Sequence, residues 1–394
     1  MGTAGSEPRI SVGISLDSSH KLEFSGDYRQ ETSESGTLYI PSGKSSYLLL
    51  PEVRIGIGFH WERKIPFLLS GIVEVRNSPE GVLLINTLPL ERYLEGVVSS
   101  EMSPDAPLEF LKAHAVISRS WALRILKGGR RGQKTVPQPV GGRIIRWEDS
   151  EAHKEFDVCA GDHCQRYQGE GAVNDAAREA VASTAGLVLM DRDGDIADAR
   201  FSKCCGSHTE IFSTCWQDED YAYLCGKEDP YCNPSRYDAA FLEKTLPCLL
   251  KDYDRETAGY FEWHRNVDPG FIRDNILRRY GLDVGTVRAL VPLERGASGR
   301  IRLLRVEGDR GSVEVGKELE IRRLLSSDAL KSSWFDVVHE GDSFSLSGHG
   351  WGHGVGLCQI GAALMAAEGA SHEDILEFYY PGTELRRAYI REKE

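Results

Sequence analysis

At Pro89 the hydrophobic period of the chain changes, and that switch limits the possible fold more than any other feature of the sequence. Before it the pattern has period 2, as expected of strands with one buried face. Ile10, Val12, Ile14 and Leu16 alternate with Ser11, Gly13 and Ser15, and Val53, Ile55, Ile57 and Phe59 alternate with Arg54, Gly56 and Gly58. Ile72–Val75 and Val82–Ile85 are apolar runs bounded by Gly71, Pro79 and Gly81, which predicts a pair of strands. Gly26 to Ser46 is polar and carries turn residues. Beyond Pro89 the spacing is helical: Leu90, Tyr93, Leu94, Val97 and Val98 share one face. Glu91 and Glu95 fall off that face and read as solvent residues. Pro104 stops this helix, and Pro107 opens a second that runs to about Leu126 and ends at Gly128-Gly129.

Further along, Asp175–Thr184 reads as a helix ended by Gly186, and 187–203 as two short strands around the turn Asp191–Gly194. Phe271–Tyr280 is predicted helical, and 299–323 returns to β-structure through Val313, Val315 and Leu319-Glu320-Ile321. Gln359–Glu368 and a segment capped by Ser371 and running through Tyr379 are predicted helices. The whole is α+β: a β-rich N-terminal region at 1–86, followed by a mixed helix and strand core over 87–386. Within that core lie cysteine-rich loops at 153–248 and a β-rich subdomain at about 285–345.

The 394 residues carry a net charge of −13, which excludes a generally basic nucleic-acid coat. No apolar run approaches the ~18–20 residues of a membrane span. One stretch reverses the charge: 127–147 holds Lys127, Arg130, Arg131, Lys134, Arg143 and Arg146 and no acid. It is either a solvated loop or an attractor for a polyanion. Seven of the nine cysteines fall between 159 and 232, a density that suits an oxidising, extracytoplasmic compartment with disulfides, metal or both. The N-terminus lacks the charged and apolar regions of a signal peptide, as in an exported chain whose signal has been removed.

Four stretches carry candidate chemistry. His153, Cys159 and Cys164 offer borderline and soft ligands suited to zinc, with a fourth position open; the alternative is a Cys159–Cys164 disulfide. In 201–210, Cys204 or Cys205 is expected to pair with Cys215 or Cys225, and Cys225 with Cys232; alternatively His208 and Cys215 hold a metal. Gly348–Gly356 has five glycines, so its backbone can approach a neighbour closely. It is neither a Walker loop nor a dinucleotide fingerprint, and His349, Trp351 and His353 either line a sugar groove or pack a turn. Glu101, in the turn between the two proline-bounded helices, is not singled out by physical reasoning alone.

Taken together, Leu88–Leu123, Phe201–Glu210, Leu330–Val337, Gly348–Ala362 and Tyr379–Leu385 resemble, in order, the motifs of the sporulation stage II protein D (SpoIID)/LytB family. The resemblance implies a peptidoglycan lytic transglycosylase with a substrate groove, or, as in LytB-type relatives, a non-catalytic modifier of a cell-wall amidase. It implies that Glu101 is the catalytic acid and base, and that glycan strands, in some members stripped of stem peptides, are the substrate. Arg119, Ser202, Thr209, His353 and Gln359 match positions that hold substrate, and a zinc at His153, Cys159 and Cys164 would brace the groove. His114 departs from the family's usual Gln, Cys358 from its common Ser, and Cys204-Cys205 from a small uncharged stretch.

Overall fold

A computed structural model of the chain describes residues 5–16, 21–32, 35–43, 45–59, 61–78, 81–128, 142–147, 153–249, 251 and 259–391. The fold is α+β. Arg9–Leu16 pairs antiparallel with Gly81–Pro89, and Ile72–Ser78, Thr37–Pro41 and Tyr28–Thr32 extend that sheet on one side. Val158–Cys159 joins Arg9–Leu16 in parallel on the other side. Ile10, Val12, Ile14 and Leu16 are buried, as their alternation requires. Gly13 is needed too, because the Phe156 ring passes where a Cβ would be, at 2.4 Å.

Two local expectations need correction here. Gly26–Ser46 is not only turn: Tyr28–Thr32 and Thr37–Pro41 form a hairpin, the first strand largely exposed and the second half-buried throughout, so neither has a buried face that alternation could reveal. The alternation through Phe59 outlasts its strand, which ends at Ile55; Gly56, at φ +65°, turns the chain and leaves Ile57 61 % exposed.

Helix α1 (Leu90–Glu101) follows the sheet directly, and α2 (Leu108–Gly128) and α3 (Asp175–Ser183) pack beside it. Leu90, Tyr93, Leu94, Val97 and Val98 are buried in a core shared with Ile10, Leu88 and Phe110, so the N-terminal strands and the helices are built on one interior. Glu91 and Glu95 are not solvent residues. Glu91 is buried against Arg119, and Glu95 binds Arg391 at 2.8 Å.

A second core gathers Val267, Ile272, Leu304, Val315, Ile321 and Phe344 against a mixed four-stranded sheet, whose edge strand Arg143–Ile145 is parallel, and an antiparallel three-stranded one. Glu318–Leu325 is a helix there rather than a continued strand. Leu319 and Ile321 suggest alternation, but Ile321, Leu324 and Leu325 bury together at helical spacing. Of the basic stretch, Arg130, Arg131 and Lys134 lie outside the described residues. Arg143 binds Glu314 at 2.9 Å and Arg146 lies over the Tyr280 ring, so both brace the second core. Among the described residues, no helix is long and apolar enough to cross a membrane.

Candidate active site and metal centre

Glu101 is the last residue of α1, and Pro104 prevents the helix from covering it. The residue is 7 % exposed and lines a cleft of about 250 Å³. Four buried tryptophans, Trp61, Trp121, Trp216 and Trp351, share that lining. Arg166 lies 4.1 Å over the Trp61 ring and Arg200 4.3 Å over the Trp216 ring, which places guanidinium groups on two walls. Lys203, Arg322 and Arg323 add further positive charge to the lining.

Two neutral donors hold Glu101. The Arg166 backbone N–H donates to Oε1 at 3.1 Å, and Gln359 Nε2 reaches Oε2 at 3.5 Å, the outer limit of a hydrogen bond. The other two carboxylates of the lining are ion-paired: Asp162 with Arg166 at 2.7 Å, and Glu318 with Arg322 at 3.4 Å. Among the described residues, Glu101 has no such partner.

Gln359 begins the helix Gln359–Ala367 and also contacts His114 Nε2, at 3.1 Å. His114 Nδ1 lies 3.3 Å from Ser118 Oγ. In the tautomer that satisfies both contacts, Nδ1–H donates to Ser118 and Nε2 accepts from Gln359. Burial pushes the His114 pKa down to about 4, more than the nearby Glu101 raises it. Burial and the guanidinium groups of Arg200, Arg300 and Arg322 push His353 down to about 3. An unfolded histidine titrates near ~6.5, so the unfolded state takes up these protons first as pH falls. The stability due to the neutral histidines is therefore complete above about pH 6.5 and eroded progressively toward pH 4. Replacing His114 with Gln is expected to flatten the fall in melting temperature across that window; an unchanged pH profile would contradict this assignment.

The cleft brings together Glu101, Ser202, His353 and Gln359. Ser202 Oγ is buried and has no hydrogen-bond partner among the described residues, and His353 packs edge-on against Trp216. Arg119 and Thr209 lie elsewhere. Arg119 is fully buried in a bidentate pair with Glu91, at 2.9 and 2.8 Å. Thr209 Oγ1 donates to Cys225 O at 3.1 Å and accepts from Lys227 N at 3.0 Å, which closes a loop. These contacts account for both residues as structural.

The glycine-rich stretch packs tightly against the strand that carries Ser202. A Cβ on Gly356 would lie 2.0 Å from Arg200 O, and one on Gly354 would lie 2.6 Å from the Arg300 guanidinium. Arg300 is fully buried and donates to Gly352 O at 3.1 Å and Cys205 O at 3.2 Å. It ties the cleft loop to the cysteine segment, a role that nothing in its own sequence neighbourhood announces. His349, by contrast, packs at a tilt against the Trp334 ring and is absent from the cleft lining.

Beside Glu101 the chain gathers His153, Cys159, His163 and Cys164, with their ligand atoms within 4.8 Å of one another. His153 Nε2 is 3.3 Å from Cys164 Sγ and 3.1 Å from His163 Nδ1. Hydrogen bonding to Cys164, with contributions from both imidazoles, outweighs burial and pulls the Cys159 thiol far below its ordinary pKa. Two sulfurs and two imidazoles form a donor set that fits tetrahedral zinc. His163 is the fourth donor of this group, a position that spacing alone leaves open, and it stands next to Cys164 in the sequence. The same loop supplies the Arg166 N–H that fixes Glu101.

Among the described residues no disulfide joins the nine cysteines. Cys204 lies 3.4 Å from Cys232, sulfur to sulfur, rather than beside Cys215 or Cys225; Cys215 Sγ faces His353 O instead. His208 is not grouped with Cys215 either, since its Nδ1 is 2.9 Å from Thr209 O.

Residues 78–190 match the family model described as Stage II sporulation protein, and 210–356 match a domain of unknown function. An uncharacterized protein of Brachyspira hyodysenteriae is 24 % identical over 93 % of this chain and 89 % of its own length. The stage II sporulation protein D of Bacillus subtilis is 27 % identical over 77 % of this chain and 76 % of its own. An amidase enhancer of the same organism is 27 % identical over 74 % of this chain, but over only 40 % of its own length.

Proposed function

The chain belongs to the stage II sporulation protein D family, and from that premise we propose that it is a peptidoglycan lytic transglycosylase with Glu101 as its acid and base. The observation that carries the reading is a buried carboxylate, without an ion-pair partner among the described residues, in the lining of a tryptophan-rich cleft. Glycan strands thread the cleft, their sugar faces against the tryptophans. The lactyl carboxylates of muramic acid meet Arg166, Arg200 and Lys203. Glu101 protonates the oxygen that links N-acetylmuramic acid to N-acetylglucosamine, and an oxocarbenium-like state develops at C1. The 6-hydroxyl of the same sugar then attacks C1 and returns its proton to Glu101, leaving a 1,6-anhydro end. Intramolecular attack removes the need to position a water, so a second carboxylate is not required. The substrate places the chain outside the cytoplasm.

Zinc held by His153, Cys159, His163 and Cys164 completes the reading as a structural brace. Its ligands lock the loop that ends at Arg166, and so fix the N–H on Glu101. Chelation is expected to lower the melting temperature and weaken cleavage together, with both restored by added zinc. Carefully purified protein without bound zinc would defeat this part of the proposal.

The test of the reaction is mass spectrometry of products from amidase-stripped glycan strands, with wild type and Glu101→Gln in parallel. Anhydromuramyl ends from wild type alone are expected. Reducing ends that contain added water would mean hydrolysis instead. The similarity to an amidase enhancer favours one alternative, a glycan binder that stimulates an amidase without cutting. Binding to both stripped and intact sacculi, with no cleavage of either, would select it.

A further inference from the structure

A second group of ligands lies behind the cleft wall and takes no part in the chemistry above. Cys205, Asp229, Cys232 and Cys358 present one sulfur or oxygen each within 4.8 Å of one another, and all four side chains are fully buried. They come from three segments: the exit of the strand Phe201–Ser202, the turn around Pro230–Cys232, and the residue preceding the helix Gln359–Ala367. Cys205 Sγ is 3.2 Å from Asp229 Oδ2, and Cys204 adds a fourth sulfur 3.4 Å from Cys232.

We propose that Cys205, Asp229, Cys232 and Cys358 bind a second soft divalent cation, with zinc as the natural occupant.

Three features point to a metal rather than a single disulfide. First, three sulfurs and a carboxylate oxygen all lie within 4.8 Å of one another, close enough for small side-chain shifts to reach the ~3.4–3.8 Å edges of a tetrahedron around zinc. One S–S bond would leave two thiols and a carboxylate buried together. Second, Cys358 Sγ accepts two backbone N–H groups, from Cys205 at 3.2 Å and from Gly361 at 3.4 Å, the latter at a helix N-terminus. A neutral thiol is a weak acceptor, whereas a metal-bound thiolate makes good use of such donors. Third, Asp229 is fully buried, and among the described residues no lysine or arginine forms an ion pair with it. Its oxygens take N–H groups of Tyr231 and Cys232 and the Tyr379 hydroxyl, contacts that orient a carboxylate without neutralising it. A dication supplies the missing charge.

Metal here would tie Cys358, and with it Gln359, to the segment that carries Ser202 and Lys203. The metal count does not depend on whether the chain cleaves glycan.

The experiment compares zinc content, by elemental analysis of the intact folded chain, between wild type and Cys358→Ser. Serine changes one atom and keeps the helix cap, so the variant is expected to fold. It is expected to hold about one zinc fewer per chain than wild type, whatever the occupancy of the His153 site. Cys205→Ser, checked by circular dichroism, provides the same comparison if Cys358→Ser does not fold. In protein reloaded with cobalt(II), sulfur-to-metal absorption should survive His153→Ala/Cys164→Ser and vanish when Cys358→Ser is added. Equal zinc in wild type and folded variants would overturn the proposal. So would a Cys204–Cys232 disulfide in a non-reducing peptide map of the native protein, or iron with sulfide in place of zinc.

Discussion

Glu101→Gln is expected to slow glycan cleavage by about 100- to 10,000-fold, the range for losing a positioned general acid, while melting temperature and glycan binding stay close to wild type. The side chain is nearly isosteric, and its amide oxygen still accepts the Arg166 N–H that orients Glu101. The lost function is proton transfer, which the amide cannot perform. Asp162 supplies the control, since it is the carboxylate on the same loop in the same lining. Burial raises its pKa and Arg166 opposes that rise, so a two-carboxylate hydrolase would recruit it. In the single-carboxylate mechanism, Asp162→Asn alters the rate through the loop it sits in but leaves the anhydro product unchanged. Cleavage at wild-type rate by Glu101→Gln would remove Glu101 from the chemistry. A switch from anhydro to hydrated ends in Asp162→Asn would reopen the assignment of the second step.

The parts of this site that were legible in the sequence are those written locally. Clustered histidine and cysteine mark the candidate metal loop, although spacing names His153, Cys159 and Cys164 without the adjacent His163, and Glu101 stands out through the family resemblance rather than through the turn that holds it. Glycine density at 348–356 announced a close backbone approach, and the loop does pack against Arg200 and Arg300. What was not legible depends on segments far apart in the chain. Trp61, Trp121 and Trp216 become neighbours of Glu101 only through the fold. Arg300 looks like an ordinary turn residue until Gly352 and Cys205 are brought to it. Cysteine counting fails for the same reason: spacing favoured partners for Cys204 among its successors 215 and 225, whereas topology sets it beside Cys232. Glu318–Leu325 shows a different failure, because eight residues with Leu319 and Ile321 fit both periods.

Glu91 reads as a solvent residue in the sequence but is buried against Arg119, and together the two carry the largest stability effect expected here. Arg119→Ala should destabilise the fold by about 3–5 kcal/mol, the cost of leaving one buried charge without its partner. Both side chains are essentially fully buried. Glu91 takes two bonds from Arg119, the Gly186 N–H at 3.0 Å and the Tyr389 hydroxyl, while Arg119 also donates to Leu187 O at 3.0 Å. Burial raises the Glu91 pKa, but the guanidinium more than offsets it, and the net shift is downward. Removing Arg119 leaves that carboxylate desolvated with only neutral donors. The pair joins α1 to α2, and through Gly186 and Tyr389 to the end of α3 and the C-terminal strand, so its loss loosens the element that ends in Glu101. Removing both charges in a volume-conserving pair, Glu91→Leu with Arg119→Met, should cost less than Arg119→Ala alone, because no ion is left unpaired. Denaturant titration of the singles and the double measures the coupling. If Arg119→Ala kept wild-type stability and lost only glycan affinity, Arg119 would return to the substrate site and the buried pair would lose its structural role.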